Sequence, residues 1–272
     1  MNIDLNTAMD VEQLLNGGFK PLSTFLNFEQ LDSVLKKMRL PTGEIWPIPV
    51  LFPKPSESIS TGMTLLLKFR KQNLAKLKVT NIFEYNLKKL IKLFYGTNDI
   101  RHPGVLETKK SSNIFLTGKL TRVGKLTKIL GIPALEPDQV KKIIQNKGWK
   151  KVVGFHTRNP PHRAHEFLQK NSLENSDGIL IHPVVGSKKI GDFSNDAITR
   201  SYKLYIKNYL PAKNVIFTSL LTYSRYAGPR EAIFTAIVRR NYGCSHFIVG
   251  RDHTGVKDFY GKYDSQKIFS KF

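Results

Sequence analysis

The chain has 272 residues, 40% of them hydrophobic, which is enough to bury a sizeable core in one large or two modest domains. Lysine and arginine total 43 against 21 aspartate and glutamate residues, and the net charge of +22 raises nucleic-acid binding as a hypothesis. The lysines are spread along the chain, as at 86–93 and 140–147 on the polar faces of predicted helices, so a solvated surface is favoured over a nucleic-acid partner.

Residues 17–130 consist of short apolar runs separated by turn-rich joins. The runs lie at 47–53, 63–69, 77–83 and 114–120. Short apolar runs bounded by proline, glycine and small polar residues are typical of strands. We predict a β-rich, barrel-like domain that extends to about residue 132.

From about Glu136 the pattern changes to alternating helices and strands. Predicted helices pass through Ile143 and Leu168 and lie at 202–209 and 230–240, and predicted strands begin at Val152, Gly178, Asn214 and His246. Such alternation specifies a parallel α/β sheet, which binds ligands at the carboxyl ends of its strands. Residues 133–272 are therefore predicted to form an α/β domain with its site at that edge.

Cysteine use and hydropathy narrow the class of protein further. Cys244 is the only cysteine, so neither an intrachain disulfide nor a cysteine-based zinc cluster can form. The first ten residues are polar, unlike a secretory signal, and no apolar stretch approaches the roughly 20 residues that span a membrane. We expect a soluble cytoplasmic protein with no membrane partner and no protein-bound metal.

The most informative segment is Val-Val-Gly-Phe-His-Thr-Arg-Asn-Pro-Pro-His-Arg-Ala-His at 152–165. A β-branched run stops at two prolines and a helical pattern follows, so the segment lies at a strand end and a helix start. Unpaired N–H groups there attract anions. His162 and His165 share a helix face, and Arg158 adds a planar fork suited to phosphate or sulfate. A bare His-x-x-His is most often structural, but the strand, the prolines and Arg158 favour a phosphate-binding turn.

Two further segments follow predicted strands. Gly250-Arg-Asp-His lies directly after the last strand: Gly250 permits close ligand approach, Arg251 can meet phosphate charge, and Asp252 can accept from ribose or adenine. Alone this segment would indicate a surface turn, and its strand-end position favours a ligand. Ser224-Arg-Tyr-Ala-Gly-Pro-Arg-Glu-Ala begins a helix, and Arg225 and Arg230 are candidates to face the same anion pocket. Alone, this segment indicates a helix start and nothing more.

These ordered motifs resemble those of the ATP sulfurylase (sulfate adenylyltransferase) family, which carries Gln-Thr-Arg-Asn-Pro-x-His-x-Ala-His, then Arg-Tyr-Ala-Gly-Pro-Arg-Glu-Ala, then Gly-Arg-Asp-His-Ala-Gly-Val. The segments at 18–26, 38–50 and 95–105 are similar to the family's PUA-like first domain. The resemblance covers essentially the whole chain. It implies a β-rich PUA-like domain at 1–132, followed by a Rossmann-like parallel α/β nucleotidyltransferase domain at 133–272.

The resemblance implies transfer of AMP from MgATP to sulfate, giving adenylyl sulfate and pyrophosphate. Carried over position by position, the catalytic residues are Thr157, Arg158, Asn159, His162 and His165. The implied ATP-binding residues are His156, Thr157, Arg158, Asn159, Gly250, Arg251, Asp252 and His253, and the implied sulfate-binding residues are His156, Arg158 and Thr254. Magnesium enters with ATP, and a homo-oligomer is a possible state.

Three departures from the family pattern keep alternatives open. His156 stands where the family has glutamine, and Thr254 stands where it has alanine; both positions belong to the acceptor site. The chain also ends earlier than family members, which suggests a truncated catalytic domain. The alternatives are a degenerate homologue that binds nucleotide without turnover, an adenylyltransferase for another oxyanion, and, third, a basic RNA-binding protein.

Overall fold

The computed structural model describes residues 1–55, 57–186, 193–251, 253, 255–256 and 258–272. Within these ranges the chain forms one antiparallel and one parallel sheet, each of four strands. None of the helices in these ranges is both long and apolar enough to cross a membrane.

The N-terminal part contains the antiparallel sheet. Its strands are β1 (Phe52–Pro53), β2 (Thr64–Phe69), β3 (Gln72–Glu84) and β4 (Ile114–Arg122), in the order β1-β4-β3-β2. Its helices are α1 (Leu5–Asn16), α2 (Phe28–Lys37), α3 (Leu87–Tyr95), α4 (Pro103–Lys109) and α5 (Leu126–Leu130). Register shifts after Leu67 and after Val79 are bulges, which bend strands and increase twist.

The predicted β-rich character of this part is confirmed, with one correction at 47–53. Only Phe52–Pro53 pair as a strand there. Pro47, Pro49 and Pro53 lack the N–H that a sheet ladder needs, so the apolar side chains of this run enter the core from an irregular segment. The sequence interpretation also omitted α1 and α2.

The C-terminal part contains the parallel sheet. Its strands are β5 (Val152–Thr157), β6 (Gly178–Pro183), β7 (Val215–Phe217) and β8 (His246–Phe247), in the order β7-β6-β5-β8. Its helices are α6 (Pro137–Asn146), α7 (Arg163–Leu173), α8 (Asn195–Tyr209), α9 (Pro229–Asn241) and α10 (Asp264–Lys267), with 3-10 turns at Ala212–Asn214 and Ile268–Lys271. Every strand and helix predicted in this part is confirmed.

The strand order positions the candidate site. The chain leaves β5 toward β6 and β7 on one side, and β8 later pairs with β5 on the other side. The carboxyl ends of β5 and β8 are therefore neighbours at the point where the strand order reverses, which is where open parallel sheets bind ligands.

Both faces of the parallel sheet are covered, as expected for buried parallel strands. Val153 and Ile179 pack with Tyr202 of α8 in a small core. Val152 and Leu180 face the other way, into a large core that continues among the helices and strands of the N-terminal part. The large core thus crosses the predicted domain boundary at 132/133.

The prediction that Arg225 and Arg230 face an anion pocket is wrong. Arg225 is buried and forms an ion pair with Asp10 of α1. Arg230 donates to backbone carbonyls of the N-terminal part, among them Leu35 O at 2.6 Å and Val34 O at 3.1 Å. Both guanidinium groups hold the C-terminal part to the N-terminal part instead.

A buried carboxylate explains the path of the chain at this point. Glu231, in the first turn of α9, accepts from the backbone N–H of Arg225 at 2.9 Å and of Ala227 at 3.1 Å. Gly228 has a φ of +51°, which favours glycine. The loop therefore folds back over the helix start and directs Arg225 toward α1.

Candidate active site

The side chain of Thr157, the last residue of β5, stabilises the turn that follows the strand. The Thr157 hydroxyl accepts from the Asn159 N–H at 3.1 Å and donates to the Asn159 carbonyl at 3.0 Å. Thr157 is buried, whereas Arg158 and Asn159 are exposed. The buried Thr157 hydroxyl thus fixes the backbone of the turn, while the Arg158 guanidinium and the Asn159 carboxamide are exposed and can meet a ligand.

The two histidines of the motif lie against each other at the start of α7. His162 is the N-cap residue, and its ring stacks on that of His165 with centroids 3.7 Å apart and planes 28° apart. Burial, and then the proximity of His162, lower the pKa of His165 to about 4. The Tyr202 hydroxyl lies 3.4 Å from His165 Nδ1.

The start of α7 suits an anion. The His162 side chain does not cap the helix, so the first N–H groups of α7 remain available to a ligand. These groups carry the positive end of the helix dipole. Exposed Arg158 lies in the turn that leads into the helix.

The opposite wall of the cleft comes from the segment after β8. A Cβ added at Gly250 would meet no atom within 4 Å, so the backbone there is open to a ligand. His253 is 9% exposed, and Thr235 Oγ1 of α9 lies 3.0 Å from its Nε2. Ser265 of α10 donates to the His253 carbonyl at 2.8 Å. Helices α9 and α10 therefore fix this wall.

Between the two walls the rings of His156 and His253 lie 5.2 Å apart. Nδ1 of His156 is buried and has no hydrogen-bond partner among the described residues. Burial, and secondly the positive charge of Arg239, lower the pKa of His156 well below its ordinary value and that of His253 to about 4. Both rings are neutral at physiological pH, so each can donate one N–H to an anion.

Most of the predicted residues come together in one cleft of about 360 Å³. The predicted residues that line it are His156, Thr157, Arg158, Asn159, His165, Gly250 and His253. His162 lies outside this lining but stacks on His165, and Arg251 is exposed nearby in the chain. Asp252 and Thr254 lie outside the described residues, so their predicted roles remain predictions.

The sequence interpretation missed the apolar wall and the supporting residues. Phe155, Leu168 and Ile248 line the cleft beside the polar groups. Thr235 and Ser265 lie 18 and 12 residues from His253, so no local spacing connects them to the motif. Within the described ranges, no group of three or more histidine, cysteine or carboxylate side chains is arranged to hold a metal ion.

Comparison with known proteins identifies the domains of this chain. A PUA-like domain model matches residues 1–125, and an ATP-sulfurylase model matches residues 133–272, slightly more than half of the chain. The chain belongs to the ATP-sulfurylase family. The fold predicted from its motifs, a PUA-like domain followed by a parallel α/β domain, is confirmed.

Named relatives of the family align along the whole chain. The sulfate adenylyltransferase of Synechococcus sp. (strain JA-3-3Ab) is 41% identical over 278 residues, covering 100% of this chain and 70% of the relative. That of Pyrococcus abyssi (strain GE5 / Orsay) is 36% identical over 272 residues, covering 100% and 72%. Among solved structures, a hexameric APS kinase from Thiobacillus denitrificans superimposes with a TM-score of 0.72 at 23% identity, over 92% of this chain and 47% of that one. At that identity the likeness concerns the fold alone.

Proposed function

We propose that this member of the ATP-sulfurylase family transfers AMP from MgATP to sulfate. A sulfate oxygen attacks the α-phosphorus, the bond from that phosphorus to the bridging oxygen of the β-phosphate breaks, and pyrophosphate leaves. The observation that carries the proposal is the single cleft in which Arg158, Asn159 and His165 meet Gly250 and His253 at the ends of β5 and β8.

The chemistry needs no protein nucleophile. Sulfate is already ionised, so a general base gains little, and the barrier is lowered by positioning and by stabilising charge as the phosphorus is attacked. Arg158, exposed at the tip of the turn, suits the planar contact of a sulfate or phosphate oxygen pair. Asn159, held by the Thr157 hydroxyl, is assigned to orient the α-phosphoryl group.

The histidine pair is assigned to the phosphate oxygens. A neutral His165 can donate one N–H to a phosphate oxygen. Because its ring is already half-buried, ligand binding removes little further water from it. The uncapped start of α7 adds backbone donors to the same anion. Gly250, Arg251, Asp252 and His253 are assigned to the nucleotide, and Mg²⁺ is treated as part of the MgATP substrate.

The direct test is pyrophosphate release by the purified protein in the presence of MgATP, with and without sulfate. We expect sulfate-dependent release, and a loss of about 100-fold or more in kcat/KM for Arg158→Ala because one charged contact to the reacting groups is removed. Arg200→Ala is the matched control, since Arg200 is exposed on α8 and does not line the cleft. Absence of release, with Arg158→Ala indistinguishable from the unaltered protein, would contradict the proposal.

One observation favours an acceptor oxyanion other than sulfate. His156 stands where the family has glutamine, and its buried Nδ1 has no partner among the described residues. Turnover with sulfate, selenate and molybdate should therefore be compared between the unaltered protein and His156→Gln. A gain in sulfate turnover in the variant would assign the native site to another oxyanion. Calorimetric nucleotide binding with no turnover on any acceptor would instead indicate a homologue that binds without catalysis.

A further inference from the structure

A fully buried arginine lies behind the candidate acceptor site. Arg239, in the last turn of α9, is 0% exposed. Its guanidinium donates to two backbone carbonyls, that of His182 at 3.0 Å and that of Thr235 at 3.4 Å, and its Nε has no hydrogen-bond partner. Among the residues that the structure describes, no carboxylate lies within ion-pair distance of it.

Such a charge is expensive to bury. An ionised group removed from water normally pairs with a counter-ion or gives up its charge. Burial lowers the pKa of Arg239 only to about 10, so the group stays cationic at neutral pH. By contrast, Arg225, the other deeply buried arginine of this part, has the carboxylate of Asp10. Among the described residues, Arg239 is therefore the buried arginine without a carboxylate partner.

The strand next to Arg239 is shaped around its side chain. A Cβ added at Gly154, in the middle of β5, would lie 2.7 Å from Cγ and 2.9 Å from Cβ of Arg239. Those contacts are closer than packed atoms tolerate, so only glycine lets the arginine stem cross the strand here. Two residues further along β5, His156 enters the cleft.

A chain of rings connects the guanidinium with the cleft. Arg239 Cζ lies 6.0 Å from the Phe247 ring centroid, the Phe247 ring lies 5.5 Å from that of His253, and the His253 ring lies 5.2 Å from that of His156. Arg239 and His253 are both buried. The charge of Arg239 therefore acts on the cleft through a poorly screening medium.

We propose that Arg239 is the buried countercharge of the acceptor oxyanion: it is a positioning residue that attracts a doubly charged anion to the cleft from behind His156 and His253. The inference deepens the proposed function and rests on it for the identity of the anion. The bound dianion would complete the charge balance of Arg239, for which the described part of the chain supplies no carboxylate. After burial, the charge of Arg239 is the second cause that lowers the pKa of His156, whose neutral ring can offer an N–H.

The groups that face these residues define the electrostatic environment. His156 is surrounded by Arg239 from α9, His253 from the segment after β8, His182 from β6 and Arg158 from its own turn. Arg239 in turn is flanked by Tyr242 and Cys244, both buried and neutral at physiological pH. Arg239 and Arg158 are the two permanent cations in this set.

The test is Arg239→Met, which keeps an unbranched stem over Gly154 and removes the charge. Arg240→Met, altering the exposed neighbour of Arg239, is the matched control. We expect the sulfate KM to rise about tenfold in Arg239→Met, with little change in the ATP KM. Because Coulomb energy scales with ligand charge, the inhibition constant of perchlorate, a singly charged tetrahedral anion, should rise only about threefold.

The preference for sulfate over perchlorate separates this role from a structural one, because a packing defect would weaken the binding of both anions alike. Arg239→Lys should restore the sulfate KM toward that of the unaltered protein. If Arg239→Met does not fold, Gly154→Ala, which displaces the guanidinium stem, should give the same preference for weakening sulfate over perchlorate.

Binding of sulfate and perchlorate is also measured by calorimetry with a non-cleavable ATP analogue. If the unaltered protein shows no turnover, the proposed function is contradicted. The ratio of sulfate affinity to perchlorate affinity would still test the role of Arg239. Folded Arg239→Met with unchanged sulfate affinity, or with equal losses for sulfate, perchlorate and ATP, would overturn the inference and leave the proposed function intact.

Discussion

The imidazole rings of His162 and His165 are stacked 3.7 Å apart at the start of α7. Two imidazolium ions would repel each other at this distance, and this proximity, after burial, lowers the pKa of His165 to about 4. His165 is therefore neutral at physiological pH and offers one N–H to a phosphate oxygen.

We expect His162→Asn and His165→Asn each to lower kcat/KM by about 100-fold to 1,000-fold, the usual cost of removing one donor to a charge that develops in the transition state. Because the rings are in contact, the double variant should lose less than the product of the single losses. Steady-state pyrophosphate release measures both effects. His246→Asn, at an exposed histidine of β8, is the control. Full activity in either single variant would refute the assignment.

The Thr157 hydroxyl provides the second prediction. It makes two hydrogen bonds to the Asn159 backbone, so Thr157→Val should loosen the turn and lower kcat by about tenfold or more while leaving the fold intact. Thr157→Ser keeps the hydroxyl and should retain most of the activity. If the valine variant, checked for folding by circular dichroism, turns over as fast as the serine variant, the hydroxyl does not position Asn159.

The sequence pattern predicted the part of the site that lies within one short segment of the chain. The strand, the prolines and the helix start lie within 152–165, and their order fixes where Arg158, Asn159 and His165 project. The parallel sheet then brings the segment after β8 beside them, as the alternating pattern predicted.

Burial over long sequence separations was not predictable in this way. The predicted helix start makes Arg225 a candidate anion ligand, yet its partner Asp10 lies 215 residues away. Arg239 belongs to none of the sequence motifs, and its separation from the described carboxylates arises only when α9 packs on β5. Pattern identifies which residue types follow a strand, whereas tertiary packing decides which charges are paired.

The Asp10–Arg225 ion pair predicts a large effect on stability. Both side chains are 5% exposed, so Arg225→Met leaves a buried carboxylate without its partner and should cost about 3–5 kcal/mol. Urea unfolding measures the change in the free energy of unfolding. Arg200→Met breaks the exposed pair with Asp196 and should cost no more than about 1 kcal/mol. Equal effects of the two substitutions would show that Asp10 finds another partner or protonates at no cost.

The histidines predict that the protein loses stability as pH falls below neutrality. Burial lowers the pKa of His165 and His253 to about 4 and those of His156 and His182 further below their ordinary values. Below about pH 6.5 these histidines therefore bind protons in the unfolded chain but remain neutral in the folded chain. The free energy of unfolding should be constant above about pH 7 and decrease from about pH 6.5 toward pH 4.

Urea midpoints measured at pH 8, 7, 6 and 5 test this prediction in a range where exposed carboxylates remain mostly ionised. His182→Leu removes one buried titrating group that does not line the cleft. The variant should show a shallower decline between pH 7 and pH 5, whatever its stability at pH 8, because one fewer proton separates the folded from the unfolded chain. A midpoint that stays constant from pH 8 to pH 5 in the unaltered protein would mean that the histidines protonate as readily in the folded chain as in the unfolded chain. An unchanged slope in His182→Leu would instead assign the decline to other groups.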